Sequence, residues 1–298
     1  MLRAITKLMP IYGGMECGGT KFVCATGAES GKLLARTEFP ATTPAETIAR
    51  ALEFFQAQPH PLQSIGIGSF GPVDLDPTSP KFGYITSTPK NGWRDTDLLG
   101  AVRRATGLPV AFDTDVNAAA LGEARWGAAQ GLDTFLYLTI GTGVGGGGMA
   151  NGRLLHGLVH PEMGHIRVPH DLAADPYPGG CPFHGDCLEG MACGKALETR
   201  CGKHAEELSA DDPVWEEEAR LLAHGLVNWI CTLSPQLIIM GGGVMKQTSL
   251  FTLLRRQVAA LINDYVPMPD IVPPALGDNA GVLGAVALCL SAVSEPRP

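Results

Sequence analysis

Three glycine clusters, each directly behind an apolar run, constrain this sequence more than any other feature. Gly18-Gly19-Thr20 separates the runs 11–17 and 21–27, Gly141-Thr142-Gly143 follows TFLYLTI (134–140), and Gly241-Gly242-Gly243 follows QLIIM (236–240). Gly-Gly between strand-like runs signals a hairpin, and glycine lets backbone N–H groups approach a phosphate closely. At the first cluster Thr20 and Lys21 add side-chain donors. The second, running on to Gly148, satisfies G-x-G-x-x-G, but a dinucleotide fingerprint needs a helix that starts within the glycines. The four successive glycines Gly145–Gly148, at about 1 kcal/mol each, oppose one. A second hairpin fits better, and nicotinamide-dependent redox chemistry is disfavoured. No G-x-x-x-x-G-K-[ST] occurs, which excludes an ordinary P-loop. The third cluster, continued by Val244 and Met245, reads as a turn into a helix over 244–263, whose positive end suits an anion. One such loop is equally a tight turn; three together favour a nucleotide.

The rest reads as two α/β units in succession. Strands are expected at 11–17, 21–27 and 32–39. A helix follows, with Thr43 as cap, Pro44 at its first position, and Ile48, Leu52 and Phe55 as its apolar stripe. Then come a buried strand (64–70), a Pro/Gly/Thr-rich loop (71–92), a helix (95–106), a strand (109–113) and a helix (116–126). The pattern restarts with strands at 134–140, 144–150 and 152–156 and an irregular segment at 157–190. Helices at 191–208 and 214–232, the strand 236–240, the helix 244–263 and a last helix at 280–293 complete it. Each half opens on a Gly/Thr hairpin, a weak internal repeat, and two such units facing each other would enclose a cleft, a preferred ligand site.

The net charge of −8 removes electrostatic support for a nucleic-acid partner. The acidic run Glu216, Glu217, Glu218 reads as the solvated first turn of a helix. No stretch of 18 apolar residues exists, so no membrane span is expected. MLRAITKLMP (1–10) reads as a short extension and not a signal peptide, which places the chain in the reduced cytoplasm. The eight cysteines are then thiols or metal ligands, with Cys17, Cys24, Cys201, Cys231 and Cys289 expected as small core residues.

Three constellations carry chemistry. Asp115, in Asp113-Thr114-Asp115-Val116-Asn117, stands where a strand ends and a helix begins, and serves as a helix cap, a cleft-facing carboxylate, or both. His165 precedes Cys181-Pro182-Phe183-His184-Gly185-Asp186-Cys187, a set of two thiolates and two imidazoles that suits a tetrahedral structural zinc (Zn2+) site with no open position. His156, His160 and His170 stand close enough in sequence to replace one ligand. Glu162 and Glu189 flank that segment, so the metal would fix both carboxylates near one place, as hydrogen-bonding groups for a polyol. The nucleotide loops are expected to lie away from this segment.

Taken together these residues resemble the ROK family of sugar kinases, over about residues 12–290. ECGGTK resembles its first phosphate loop, GTGVGGG its second, GGGVM its adenosine loop, and HPEMGH with the Cys/His cluster and CLEG its zinc signature. SFGPVD, ITSTPKNGW, DTDVNAAALGE and CPFHGDCLEGMACG look like the bacterial fructokinase branch. The resemblance implies the two-domain, actin-like (ribonuclease-H-like) ATPase fold. One domain would hold 11–117 plus helix 280–293, the other 118–279, including the zinc segment 157–190. It implies ATP with Mg2+ as donor, a hexose acceptor, most simply fructose at its 6-hydroxyl, and a homodimer. Residue by residue, Asp115 matches the catalytic base; Glu162, His165 and Glu189 match sugar-binding positions, and Gly71 a sugar-contacting backbone. Gly18, Gly19, Thr20, Lys21, Gly141, Thr142, Gly143, Lys195, Gly241, Gly242, Gly243, Val244 and Met245 fall in the ATP site. Glu16, Thr114, Cys193 and Lys195 depart from the common residues Asp, Asn, Ser and Pro. Mannose and glucose are the rival acceptors. A sugar-sensing repressor of the same family is disfavoured by the acidic charge and by the few residues ahead of the first strand.

Overall fold

The computed structural model describes residues 9–173 and 175–294. Most of the leading segment, positions 1–8, lies outside the described residues. The chain divides into two units. One is built from residues up to Gly122 and from Asn279 onward, the other from Glu123–Asp278.

The first unit centres on strands β1 (Ile11–Cys17), β2 (Lys21–Ala28), β3 (Leu33–Pro40), β4 (Ile65–Ser69) and β7 (Val110–Thr114), in the order β3-β2-β1-β4-β7. β1, β2 and β3 form antiparallel hairpins, while β1, β4 and β7 run parallel. β4 is buried along its whole length, as a central parallel strand should be, and the edge strand β3 alternates between half-buried and exposed. Helix α1 (Pro44–Gln56) starts where expected, with the Thr43 hydroxyl accepting from the Glu46 N–H at 3.4 Å. Helix α2 (Leu98–Thr106) follows a small ribbon, β5 (Tyr84–Ile85) with β6 (Thr96–Asp97), that interrupts the expected loop. Trp93 is fully buried there, 5.4 Å from Phe22 and 5.5 Å from Phe70 between ring centroids.

Helix α3 (Asp115–Trp126) leaves the sheet, and the terminal helix α8 (Ala280–Ser294) returns to it. From Ala280 to Leu290 α8 is apolar on all sides, and it is buried on all sides over that stretch. It lies so close to β4 that a side chain at Gly66 would strike the Ala285 carbonyl. α3 up to Gly122 belongs with this unit, since Gly122 packs on the Ala280 and Gly284 backbone.

The second unit repeats the plan with β8 (Phe135–Ile140), β9 (Val144–Ala150), β10 (Arg153–Leu154), β11 (Leu237–Gly241) and β12 (Asp270–Val272), in the order β10-β9-β8-β11-β12. Each sheet thus reads third, second, first, fourth, fifth along its own stretch of chain. Its helices are α4 (Leu188–Met191), α5 (Gly194–Cys201), α6 (Val214–Leu233) and α7 (Ser249–Ile262). Leu136, Leu138, Trp215, Leu222, Leu226, Ile238 and Leu254 form its core. No helix among the described residues is long and apolar enough to cross a membrane.

Several expectations need correction. The region 191–208 holds α5 and a short 3-10 turn at Ala205–Glu207, not one helix, because Gly202 adopts a left-handed conformation (φ 66°) and ends α5. Val244–Lys246 is a 3-10 turn and α7 begins only at Ser249, so no helix starts at the third glycine cluster. Cys231 is exposed and Cys201 half-buried, whereas Cys17, Cys24 and Cys289 lie in the core. Glu216 and Glu217 are paired with Arg256 and Arg220, but Glu218 is fully buried. It shares the inner face of α6 with Trp215, Ala219 and Leu222, and burial pushes its carboxyl up to about 8.

Candidate active site

In the first unit the expected site residues meet at the carboxyl edge of the parallel strands, the edge where α/β sheets present ligands. Cys17, Ser69 and Thr114 are in register across β1, β4 and β7. The chain leaves that edge at Gly18, Phe70-Gly71 and Asp115. The first glycine cluster is a true hairpin turn, with the Gly18 N–H donating to the Lys21 carbonyl at 2.9 Å. Gly71 precedes a cis peptide bond to Pro72. Of the donors expected at the turn, Lys21 is turned to β3, with Nζ 3.0 Å from Glu38 Oε1.

Asp115 is the first residue of α3, not its cap. The cap is Thr114, whose hydroxyl accepts from the Asn117 N–H at 3.1 Å. Asp113 is buried and accepts from Asn117 Nδ2 at 2.9 Å, which fixes the strand-to-helix junction. Asp115 Oδ1 accepts from its neighbour Val116 N–H at 2.9 Å. Burial raises the Asp115 carboxyl to about 6, with two backbone N–H bonds pulling the other way.

Glu16, at the end of β1, carries a second raised carboxyl, at about 7. Burial is the main cause, and the charge of Asp115 is the next. Its Oε2 has no hydrogen-bond partner among the described residues. The carboxyl lies against Gly281 in the first turn of α8, where a side chain would collide with it. An acceptor oxygen held dry beside another carboxyl is suited to a cation.

In the second unit His165, Cys181, His184 and Cys187 converge, their ligand atoms all within 4.8 Å of one another. His165 Nδ1 is 3.5 Å from Cys187 Sγ and 3.6 Å from Cys181 Sγ, and His184 Nδ1 is 3.7 Å from Cys181 Sγ. Bonds of zinc length to sulfur and nitrogen in a tetrahedron would space the ligands by about 3.6 Å, so these residues fit such an ion. His156, His160 and His170 are outside the cluster. His170 instead faces Asp186 and the Asp175 carbonyl.

The other face of the His165 ring meets the two flanking carboxylates. Nε2 is 3.8 Å from Glu162 Oε2 and 4.0 Å from Glu189 Oε1. Glu162 is exposed and Glu189 half-buried. Glu189 Oε2 accepts from the Val144 N–H at 3.0 Å. A side chain at Gly143 would meet that oxygen and push Glu189 aside. The Gly194 N–H donates to the Gly141 carbonyl at 2.7 Å, which places Lys195 beside the second cluster. Gly242 (φ 96°) abuts the Ile140 carbonyl, so the third cluster adjoins the second. The glycine loops of this unit therefore do not stand away from the Cys/His segment: Glu189 is bonded to one of them.

Sequence reasoning marked Glu16 only as a departure and gave no part to Lys90, whose Nζ reaches the Gly19 carbonyl at 2.6 Å. The TPKNGW segment was the available signal, but nothing in its spacing tells which turn it touches.

The model of the ROK family matches residues 12–292 of this chain. A fructokinase of Zymomonas mobilis is 46% identical to it, over 96% of this chain and 98% of that protein. A fructokinase of Pediococcus pentosaceus is 43% identical, over 96% of this chain and 99% of that one. Among solved structures, a ROK family glucokinase from Streptomyces griseus in complex with glucose and AMPPNP superposes with a TM-score of 0.79 at 29% identity, over 94% of this chain and 98% of that one.

Proposed function

This chain belongs to the ROK family, and on that premise we propose that it transfers the γ-phosphoryl group of ATP to the 6-hydroxyl of fructose. The observation that carries this reading is Glu189, one carboxylate that touches both the His165 ring and the glycine turn at Val144. A single side chain of this kind couples the place that holds a polyol to the place that holds phosphates. Fructose is favoured over glucose because relatives named fructokinase match at 43% and 46% identity over nearly the whole chain, whereas the glucokinase above matches at 29%.

The mechanism follows from the residues. Glu162, Glu189 and His165 accept and donate hydrogen bonds to the sugar hydroxyls and orient the acceptor. Asp115 takes the proton of the attacking hydroxyl as its oxygen bonds to the γ-phosphorus and the bond to ADP breaks, a contribution of roughly 10²–10⁴-fold. With its carboxyl near 6 it is ionised at neutral pH yet more basic than an ordinary aspartate. The glycine turns Gly18–Thr20, Gly141–Gly143 and Gly241–Met245, with Lys195 nearby, receive the nucleotide through the N–H groups that the turns themselves leave open. Glu16 is the residue fitted to hold the magnesium ion that accompanies ATP, which supplies neutralisation of phosphate charge when bound. His165, Cys181, His184 and Cys187 would hold zinc as a structural ion that ties the segment carrying Glu162 and Glu189 together. The enzyme works in the cytoplasm as a homodimer.

A panel of hexoses with coupled detection of ADP tests the assignment. Fructose is expected to give the highest kcat/KM; a higher value for glucose or mannose would overturn the choice of acceptor and leave the phosphotransfer standing. The pH profile tests the base. Because Asp115 must be ionised, kcat/KM is expected to fall about tenfold per pH unit below about 6 and to flatten above it. A profile flat down to the ordinary carboxylate range would exclude a raised aspartate as base.

A further inference from the structure

One ammonium group is held against the first glycine turn, and it is not the neighbour in sequence. Lys21 is engaged by Glu38 of β3, which also accepts from Arg36. Lys90 instead crosses from the 71–92 loop. Its Nζ donates to the Gly19 carbonyl at 2.6 Å and to the Ala41 carbonyl at 3.2 Å. The ammonium also lies 5.9 Å from the centroid of the buried Trp93 ring, whose Nε1 donates to the Thr42 carbonyl at 2.8 Å. The Lys90 N–H donates to the Thr88 hydroxyl at 3.3 Å.

An ammonium has three donors and no acceptor. Two are used on carbonyls, and the third has no protein partner among the described residues. No carboxylate there stands within ion-pair distance of Lys90 either, unlike Lys21, Lys81 and Lys246, which face Glu38, Asp95 and Asp278. A half-buried positive charge with a remaining donor, on a turn that offers backbone N–H groups, is built for an anion. We propose that Lys90 is the phosphate-contacting cation of the first glycine loop: its remaining N–H binds a phosphoryl oxygen of ATP while its other two hold Gly19 and Ala41 in place. Lys90 stays protonated throughout and no bond to it is made or broken. The inference rests on the reading of the chain as an ATP-dependent kinase.

Calorimetric binding of Mg-ATP to the full chain, wild type against K90Q and K90R, tests it, because binding is read without turnover. Glutamine keeps a donor for the carbonyls and removes the charge; arginine keeps the charge. K90Q is expected to weaken Mg-ATP binding by at least about tenfold and to raise KM for ATP in parallel, with KM for fructose within about twofold of wild type. K90R is expected to stay within about threefold of wild type for ATP. A K90Q protein that binds ATP like wild type, or that loses only melting temperature, overturns the proposal. If K90Q does not fold, K90R decides: ATP binding weakened by about tenfold or more, or loss of folding, overturns it. A wild-type protein that binds ATP yet phosphorylates no hexose would count against the proposed reaction and leave Lys90 standing.

Discussion

Asp115→Asn is expected to lower kcat by at least about 100-fold while the protein stays folded. Asparagine keeps an oxygen for the Val116 N–H and keeps the volume at the start of α3, so the bonds that Thr114 and Asp113 make at the junction are undisturbed. What it removes is a proton acceptor. The sign of the stability effect separates catalysis from structure. Burial raises the Asp115 carboxyl, so in the folded state its ionised form is disfavoured, and stability falls as pH rises from the unfolded value through about 6. Asparagine has no ionised form, so above that range the variant is expected to melt no lower than wild type. Near-normal turnover in a folded variant would remove Asp115 from the mechanism.

Cys187→Ser is expected to strip the metal and to lower the melting temperature by at least about 10 °C, because structural zinc contributes on the order of 10 kcal/mol to folding. Cys187 is fully buried and close to the His165 ring, so the serine takes one thiolate from the cluster and one of its two sulfur neighbours from the ring. The loss should not stop at the sugar. Since Glu189 follows the cluster by two residues and is bonded to Val144, KM should rise for ATP as well as for fructose, by at least about fivefold each. Metal analysis should give about one zinc per wild-type chain. Cys231→Ser, on the exposed side of α6, supplies the comparison and should match wild type in metal content and melting temperature. A metal-free chain that keeps its melting temperature and its KM values would sink the structural-zinc reading.

Local signals in the sequence decided much of this fold, and long-range ones the remainder. The two hairpins were legible because Gly-Gly or Gly-Thr-Gly stands between apolar runs, and the Cys/His cluster because three of its four ligands lie within seven residues. β12 was missed: its three residues sit between Pro269 and Pro273, too short for any period to register. The start of α7 was misread because an apolar Val244-Met245 pair continues the stripe of the helix; the Thr248-Ser249 pair was the better signal. Glu218 followed the general behaviour of acidic runs until the angular position of one residue on α6 decided otherwise. Lys90 lies 71 residues from Gly19 along the chain, and no pattern within a segment reports a contact of that span.

The placement of α8 has a consequence for how the protein is made. The second unit is one continuous stretch, Glu123–Asp278, and can close on itself as soon as that stretch has emerged from the ribosome. The first unit cannot. Its sheet strands are translated early, yet the helix that covers β1, β2 and β4 is translated after the whole second unit. During that interval the apolar face around Gly14, Gly66 and Ala25 has nothing of its own to rest on. The nascent chain therefore carries a half-covered sheet through most of its synthesis, and this is the period when a holding chaperone would find it. A premature stop shortly before α8 spares every residue of the second unit and the core on the α1 side of the first, yet leaves the other face of that sheet uncovered, so such truncations should accumulate as insoluble chains and not as weakly active enzyme.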